Sequence, residues 1–311
     1  MSYDLHLCCA VDTELPVTRF ARALSNFPNF TYPVNTSDNF QAFYENHATG
    51  VYFLIDFDQP GSLDEPLALP PSHRDTGFTV RVNFNRPSFF AHEAMPIVTS
   101  VCHAQNLLVA DPQESPSDPM VPRNADAVSL IDSWERHNNS AVRALHAQNV
   151  PGDEVQYLYY DRQKAHYWWL YMKDKEALQN AAEDDIFVPS IVMLKDDASR
   201  VFSAVVWSDA LPQVFPKADF VLKHAMTRRR IGAKKTKSIE ILAWDKVIQQ
   251  LQPLLHDIRG PVAGLQFIPS ASAGRARKIF DALHGTDFRG YELIQSQDFV
   301  DVPLENKSQS Q

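Results

Sequence analysis

Residues 78–113, "FTVRVNFNRPSFFAHEAMPIVTSVCHAQNLLVADPQ", change their hydrophobic period twice, and that change decides the fold. Phe78, Val80, Val82 and Phe84 alternate with Thr79, Arg81, Asn83 and Asn85, the pattern of a half-buried strand. From Pro87 and Ser88 the spacing turns helical, with Phe90, Ala94, Ile97, Val98 and Val101 on one side. Pro96 should distort or restart that helix, because it lacks the amide proton the helical ladder needs. "LLVAD" (107–111) then closes the unit as a further strand.

Working outward, Leu5, Leu7 and Cys9 alternate with His6 and Cys8 as a first strand, and "VTRFARALSNF" (17–27) has helical spacing. "VYFLIDFD" (51–58) is a nearly continuous apolar run, which predicts a strand covered on both faces. The Pro-rich stretches 58–77 and 111–124 read as a long loop and a linker. The order β-α-(β)-β-β-α-β is that of a ferredoxin-like sandwich, an antiparallel sheet with helices on one face. Residues 124–148 form an amphipathic helix anchored by Val128, Ile131, Trp134 and Leu145. Beyond it the pattern predicts a strand at 155–160, a helix at 161–182, strands at 187–194, 200–207 and 218–226, and a long helix at 238–258. A strand at 265–268, a helix at 272–285 and a strand at 291–294 complete it. The expected class is therefore α+β with two mixed αβ domains: 1–123, a bridging helix 124–150, a second domain 151–304 and a flexible tail 305–311.

The 311-residue chain has a net charge of -9, and its charge is unevenly spread. Residues 1–150 carry eight Arg and no Lys against seventeen Asp and Glu. Residues 151–311 balance, but only because "KHAMTRRRIGAKKTK" (223–237) holds seven basic residues and no acid. An acidic body steers basic partners toward itself. Three Cys, sparse and odd in number, read as reduced buried thiols, and the opening residues lack the basic and apolar regions of a secretory signal. The expectation is a cytoplasmic protein with no membrane span.

No motif names a reaction. His92-Glu93 is not followed by His at position 96, which is Pro, so the zinc-protease pattern fails. No Cys-x-x-Cys, Gly-x-Ser-x-Gly, Gly-x-Gly-x-x-Gly or Walker loop occurs. The expectation is no catalytic residue, no metal and no cofactor. Arg81, Asn83, Asn85 and Arg86, with His92 and Glu93, are the one cluster with acid–base potential; a solvated sheet face is the plainer reading. Candidate partner-binding residues are Asp56, Asp58, Asp64 and Glu65 in the acidic half, and Tyr160, Tyr167, Tyr171, Trp207 and Asp209 in the second. In "YLYYDRQKAHYWWLYM" (157–172) the stripe Ala165, Trp168, Trp169 and Met172 reads as core. A candidate anion site comprises Arg228, Arg229 and Arg230 of the basic tract, with Arg275 and Arg277 where a helix opens in "PSASAGRARK".

The stretch 78–113, "LIDSWERHN" (130–138), "FVPSIVML" (187–194) and "VVWSDALPQVFPKADFVL" (205–222) together resemble two-domain bacterial immunity proteins, which are encoded beside toxins of contact-dependent or type VI secretion systems. The resemblance implies a non-enzymatic cytosolic protein that blocks the active site of a cognate toxin. If that toxin is a nuclease, its basic cleft would complement an acidic surface. Two other classes are weighed: a hydrolase or transferase with a site in a cleft between the domains, and a nucleic-acid or phospho-ligand binder acting through residues 223–237. The tract lacks aromatic readers and sits in an acidic chain, which disfavours the last.

Overall fold

A computed structural model describes residues 1–32, 40–59, 67–114, 120–148, 158–182, 185–227 and 236–303. The chain divides into two compact units, residues 1–157 with 300–311, and residues 158–299.

In the first unit β1 (Ser2–Ala10), α1 (Val17–Leu24), β2 (Phe30–Thr31), β3 (Gln41–Asn46), β4 (Val51–Phe57), β5 (His73–Asn83), α2 (Phe89–Gln105), β6 (Leu108–Ala110), β7 (Arg123–Asn124) and α3 (Ala127–Gln148) follow one another. The sheet runs β2-β3-β4-β5-β1-β6-β7 and every pairing is antiparallel. Its inner four strands, β4-β5-β1-β6, have the ferredoxin-like order, extended by two strands beyond β4 and one beyond β6. The helices lie on one side of the sheet. Alternation explains why: Tyr3, Leu5, Leu7, Ala42, Tyr44, Val51, Phe53, Ile55, Phe78, Val80 and Val82 all point to one buried face. Phe20 of α1 stacks on Phe78 at 3.9 Å between centroids, locking the first helix onto that face.

Four local expectations change. Residues 51–57 are buried on one face only, since Tyr52 and Leu54 are half-buried; the unbroken apolar run concealed an open side. Strand β5 starts at His73, inside the expected loop, and Gly77 makes this continuation feasible. Its φ is +81°, and an added Cβ would lie 2.2 Å from the Asp58 carbonyl oxygen. Pro96 sits within one unbroken helix, α2. In α3, Val128 is 66% exposed and the buried anchors are Leu130, Trp134 and Val142.

The second unit contains β8 (Leu158–Tyr159), α4 (Arg162–Lys173), α5 (Lys175–Ala181), β9 (Ile191–Asp196), β10 (Val201–Ser208), β11 (Val214–Phe215), β12 (Phe220–Thr227), β13 (Thr236–Ala243), α6 (Trp244–Leu251), β14 (His256–Asp257), β15 (Gln266–Phe267), α7 (Ala273–Ala282), β16 (Thr286–Asp287) and β17 (Tyr291–Ile294). Its main sheet runs β16-β13-β12-β10-β9-β17, with β10 and β12 parallel, and β11-β15-β14 form a smaller one. Trp207, Phe215, Val221, Leu251, Ile268 and Phe280 form its principal core. The expected helix 238–258 is corrected to a strand followed by a shorter helix. The alternating Ile239, Ile241 and Ala243 pair with β12 along eight residues, and that ladder overrides the helical reading. The expected helix 161–182 is broken at Asp174, whose φ of -107° departs from helical geometry.

Candidate functional site

The side of the first sheet opposite the helices carries a grid set by register. Asp4, Arg81, Leu54 and Phe43 form one row, and His6, Thr79, Asp56 and Gln41 the next. Phe43 is 50% exposed, and Leu54 and Tyr52 are half-buried. Around Arg81 the face gathers three carboxylates. Arg81 Nε lies 2.8 Å from Asp56 Oδ2, an ion contact not aligned as a hydrogen bond, and Nη2 lies 3.9 Å from Asp58 Oδ2. Asp4 sits beside Arg81 in the pairing register, while Asp75 opposes Cys8 beyond the β1 bulge and belongs to the surroundings of His6, away from Arg81.

These groups act on one another. His6 accepts or donates at 3.2 Å between Nδ1 and Thr79 Oγ1. Burial lowers its pKa, while Asp75 and Asp4 pull the other way. Burial raises the Asp56 carboxyl above its ordinary range, against the opposing effects of Arg81 and of the Gln41 amide, which donates to Oδ1 at 2.9 Å. Among the described residues Asp4 Oδ1, a buried acceptor, has no hydrogen-bond partner. A neutral imidazole, four carboxyls and one guanidinium thus share an otherwise aromatic and aliphatic surface. Such a face is complementary to cations and repels phosphate.

The expected acid–base cluster is not assembled. Arg81 and Asn83 belong to the open face, with Asn83 Nδ2 donating to Tyr52 Oη at 3.2 Å. Arg86 Nη2 donates to the same phenol at 2.6 Å, and Asn138 receives the Asn85 amide and donates to the Arg86 carbonyl. Glu93 is buried toward the helices, where Oε1 accepts from Tyr44 Oη at 2.9 Å and Asn46 Nδ2 at 2.7 Å. His92 Nε2 lies 3.1 Å from Glu135 Oε1.

In the second unit three candidate contact residues, Trp207, Tyr171 and Tyr160, prove to be core. Trp207 is fully buried, donates to the Leu211 carbonyl at 3.1 Å and packs edge-on against Phe280. Tyr171 is fully buried and donates to the Pro189 carbonyl at 2.7 Å. Neither presents area to a partner. Asp209 and Ala210 adopt positive φ in the turn after β10, which explains the bend there without invoking a binding lip. Tyr160 is also buried, donating to Ser203 Oγ at 2.9 Å and Asp219 Oδ2 at 3.2 Å, while Tyr167 is half-buried and accepts the Lys217 amide at 2.9 Å. The stripe Ala165, Trp168, Trp169 and Met172 is core, as its spacing suggested.

Nor does the opening of α7 hold two free guanidiniums. Arg277 engages Asp281 and the Asp209 carbonyl, and Arg275 Nη2 donates to Ser272 Oγ at 3.0 Å. Asp64, Glu65, Arg228, Arg229 and Arg230 lie outside the described residues. The first residue of the basic tract does not belong to a basic surface at all. Lys223 is 5% exposed, donates to the Leu283 carbonyl at 2.5 Å, stands 5.0 Å over the Phe280 ring and lies 3.9 Å from its cross-strand partner Glu240.

All three thiols are free and buried in the first unit, and burial pushes both Cys8 and Cys102 up to about 12. Among the described residues no group of three or more His, Cys, Asp or Glu is placed to hold a metal ion, and no helix is long and apolar enough to cross a membrane. No protein-family model, curated protein or solved structure matches the chain.

Proposed function

We propose that this protein is a non-enzymatic binding protein, an immunity protein that neutralises a cognate toxin by covering the toxin's basic active-site surface with the open, acidic face of its first sheet. The observation that carries the reading is the cluster of Asp4, Asp56 and Asp58 around Arg81 on a sheet face without helices. Stability alone does not favour this arrangement, since burial works against the ionised form of Asp56. A basic partner would relieve that repulsion, which is a differential interaction available only in the complex. Phe43 and Leu54 supply apolar area in the same place, as an interface centre requires.

The nucleic-acid reading loses support because Lys223, in its proposed binding tract, is anchored in the core. The test is co-expression with the product of the neighbouring gene. The chain should rescue growth and form a complex whose affinity falls steeply with salt. Asp4→Lys with Asp58→Lys should abolish rescue while leaving the circular dichroism spectrum unchanged. Rescue that survives this double reversal would refute the assigned face. A neighbouring product that is neither toxic nor bound would refute the immunity reading itself.

A further inference from the structure

Within the second unit a cavity of about 620 Å³ opens beneath α4, inside the roughly 300–1,000 Å³ range of small-molecule sites. Its inner wall is fixed by one saturated network. Asp219 Oδ1 takes the Lys164 ammonium, and Oδ2 accepts from the Ser203 amide at 2.9 Å, from Ser203 Oγ at 3.0 Å and from Tyr160 Oη at 3.2 Å. Asp161 is likewise engaged, its Oδ1 capping α4 by accepting the Lys164 amide at 3.0 Å. The Asp219 network has little left to offer a ligand, and burial holds Tyr160 firmly protonated; of this wall only the second oxygen of Asp161 remains open.

The remaining lining is different. Lys217 and Asp245 form no ion pair among the described residues, and they reach the cavity from separate segments, the loop before β12 and the first turn of α6. The two segments are tied together by the Trp244 amide, which donates to the Asp219 carbonyl at 3.1 Å. The Tyr167 hydroxyl accepts the Lys217 amide, and its own proton has no acceptor among the described residues. Trp168, 5% exposed with its indole N–H spent on the Ile191 carbonyl, offers only an apolar ring, and half-buried Trp244 offers another. Lys217, a cation without an ion pair, Asp245 and the exposed Asp161, two carboxylates without one among the described residues, a phenol donor and aromatic walls therefore share one cavity. A purely anionic ligand would meet Asp245, and a purely cationic one would meet Lys217.

We propose that this cavity binds a small zwitterion with an aromatic body, of the aromatic α-amino acid class, its carboxylate toward Lys217 and Tyr167 and its ammonium toward Asp245. The same chemistry is presented by a free amino acid or, in part, by the terminal residue of a peptide. Aromatic ligands stack on Trp and Tyr faces, and each matched charge adds selectivity rather than bulk affinity.

Saturation-transfer NMR and calorimetry on the full chain would test this with L-phenylalanine, 3-phenylpropionate, phenethylamine and glycyl-L-phenylalanine. L-phenylalanine should bind with a dissociation constant near or below about 1 mM, and the two truncated analogues about tenfold more weakly. Binding of glycyl-L-phenylalanine equal to that of L-phenylalanine would assign the peptide terminus as the source; weaker binding would assign the free amino acid. Lys217→Ala should erase the preference over phenethylamine, and Asp245→Ala the preference over 3-phenylpropionate. Both positions are exposed, so folding is not at stake. No saturation transfer to L-phenylalanine, or affinities indifferent to both substitutions, would overturn the proposal. Because the cavity and the acidic sheet lie in different units, either assignment can fail while the other stands.

Discussion

Replacing Lys223 by Met decides whether the buried lysine is structural or a fragment of a basic surface. Met keeps the aliphatic length and removes the charge. The substitution strips the Leu283 carbonyl of its donor, a charge-assisted bond worth about 1.5–3 kcal/mol. It also removes the contact with the Phe280 ring, worth about 0.5–1 kcal/mol or more where water is excluded. Against this stands the desolvation of an ammonium that is 5% exposed, which Met recovers. Glu240 loses a cation at 3.9 Å but keeps the Gly285 amide at 2.9 Å and is itself partly exposed, so its loss is small. The carbonyl dominates, because it lies in a sequestered position where Met offers no substitute. We expect a net loss of about 2 kcal/mol, or about 4–8 °C in Tm for a unit of this size. Lys223→Ala forfeits the stem as well and should cost about 4 kcal/mol, at roughly 0.8 kcal/mol per buried methylene. Urea denaturation followed by tryptophan fluorescence is the assay, since Trp207 contacts Phe280 directly. Unchanged or increased stability in Lys223→Met, with weakened binding to a single-stranded oligonucleotide, would refute the structural assignment.

Other perturbations probe the remaining groups. Asp56→Asn should leave stability unchanged or improved at neutral pH. The raised carboxyl pKa means the folded state favours the protonated form, a contribution present at low pH and lost as pH rises through the folded pKa; pH-dependent melting would show it. His6 has the opposite linkage: its lowered pKa costs stability as pH falls below about 6.5, where the unfolded chain takes up a proton first. His6→Gln should flatten that acid limb, and a wild-type acid limb would contradict the assignment. Tyr160→Phe removes the donor to Ser203 and Asp219 and should cost about 1–2 kcal/mol by chemical denaturation.

The ferredoxin-like core was legible because β5 and α2 carry unmistakable periods of two and 3.6, and the hairpin order follows from short connections. Asp56 and Asp58 were legible as acids near an exposed surface, but their neighbours were not. Asp75 lay in what read as a loop, and its placement near His6 and Cys8 depends on the long-range pairing of β1 with β5. Gly77, between Thr76 and the first alternating apolar residue Phe78, was the available signal. Lys223 misled for a similar reason: its neighbours in sequence are basic, while its carbonyl acceptor is sixty residues away. Trp207, at a Pro-bounded loop, and Tyr160 and Tyr171, outside the apolar stripe of 157–172, were open to either a contact or a core role, and only packing distinguishes them. The strand at 236–243 shares its first apolar positions with a helical stripe, and the partner strand breaks the tie.

The chain also happens to label its two units separately. Every thiol belongs to the first unit, at Cys8, Cys9 and Cys102, and four of the five tryptophans, Trp168, Trp169, Trp207 and Trp244, to the second. With Cys8 and Cys102 protonated far above neutrality and sealed from solvent, an alkylating reagent can modify them only when the first unit opens. Thiol-modification kinetics report the first half alone and, once Trp134 is replaced by Phe, indole emission reports the second, so lagging signals would reveal whether a captured partner steadies one half or both.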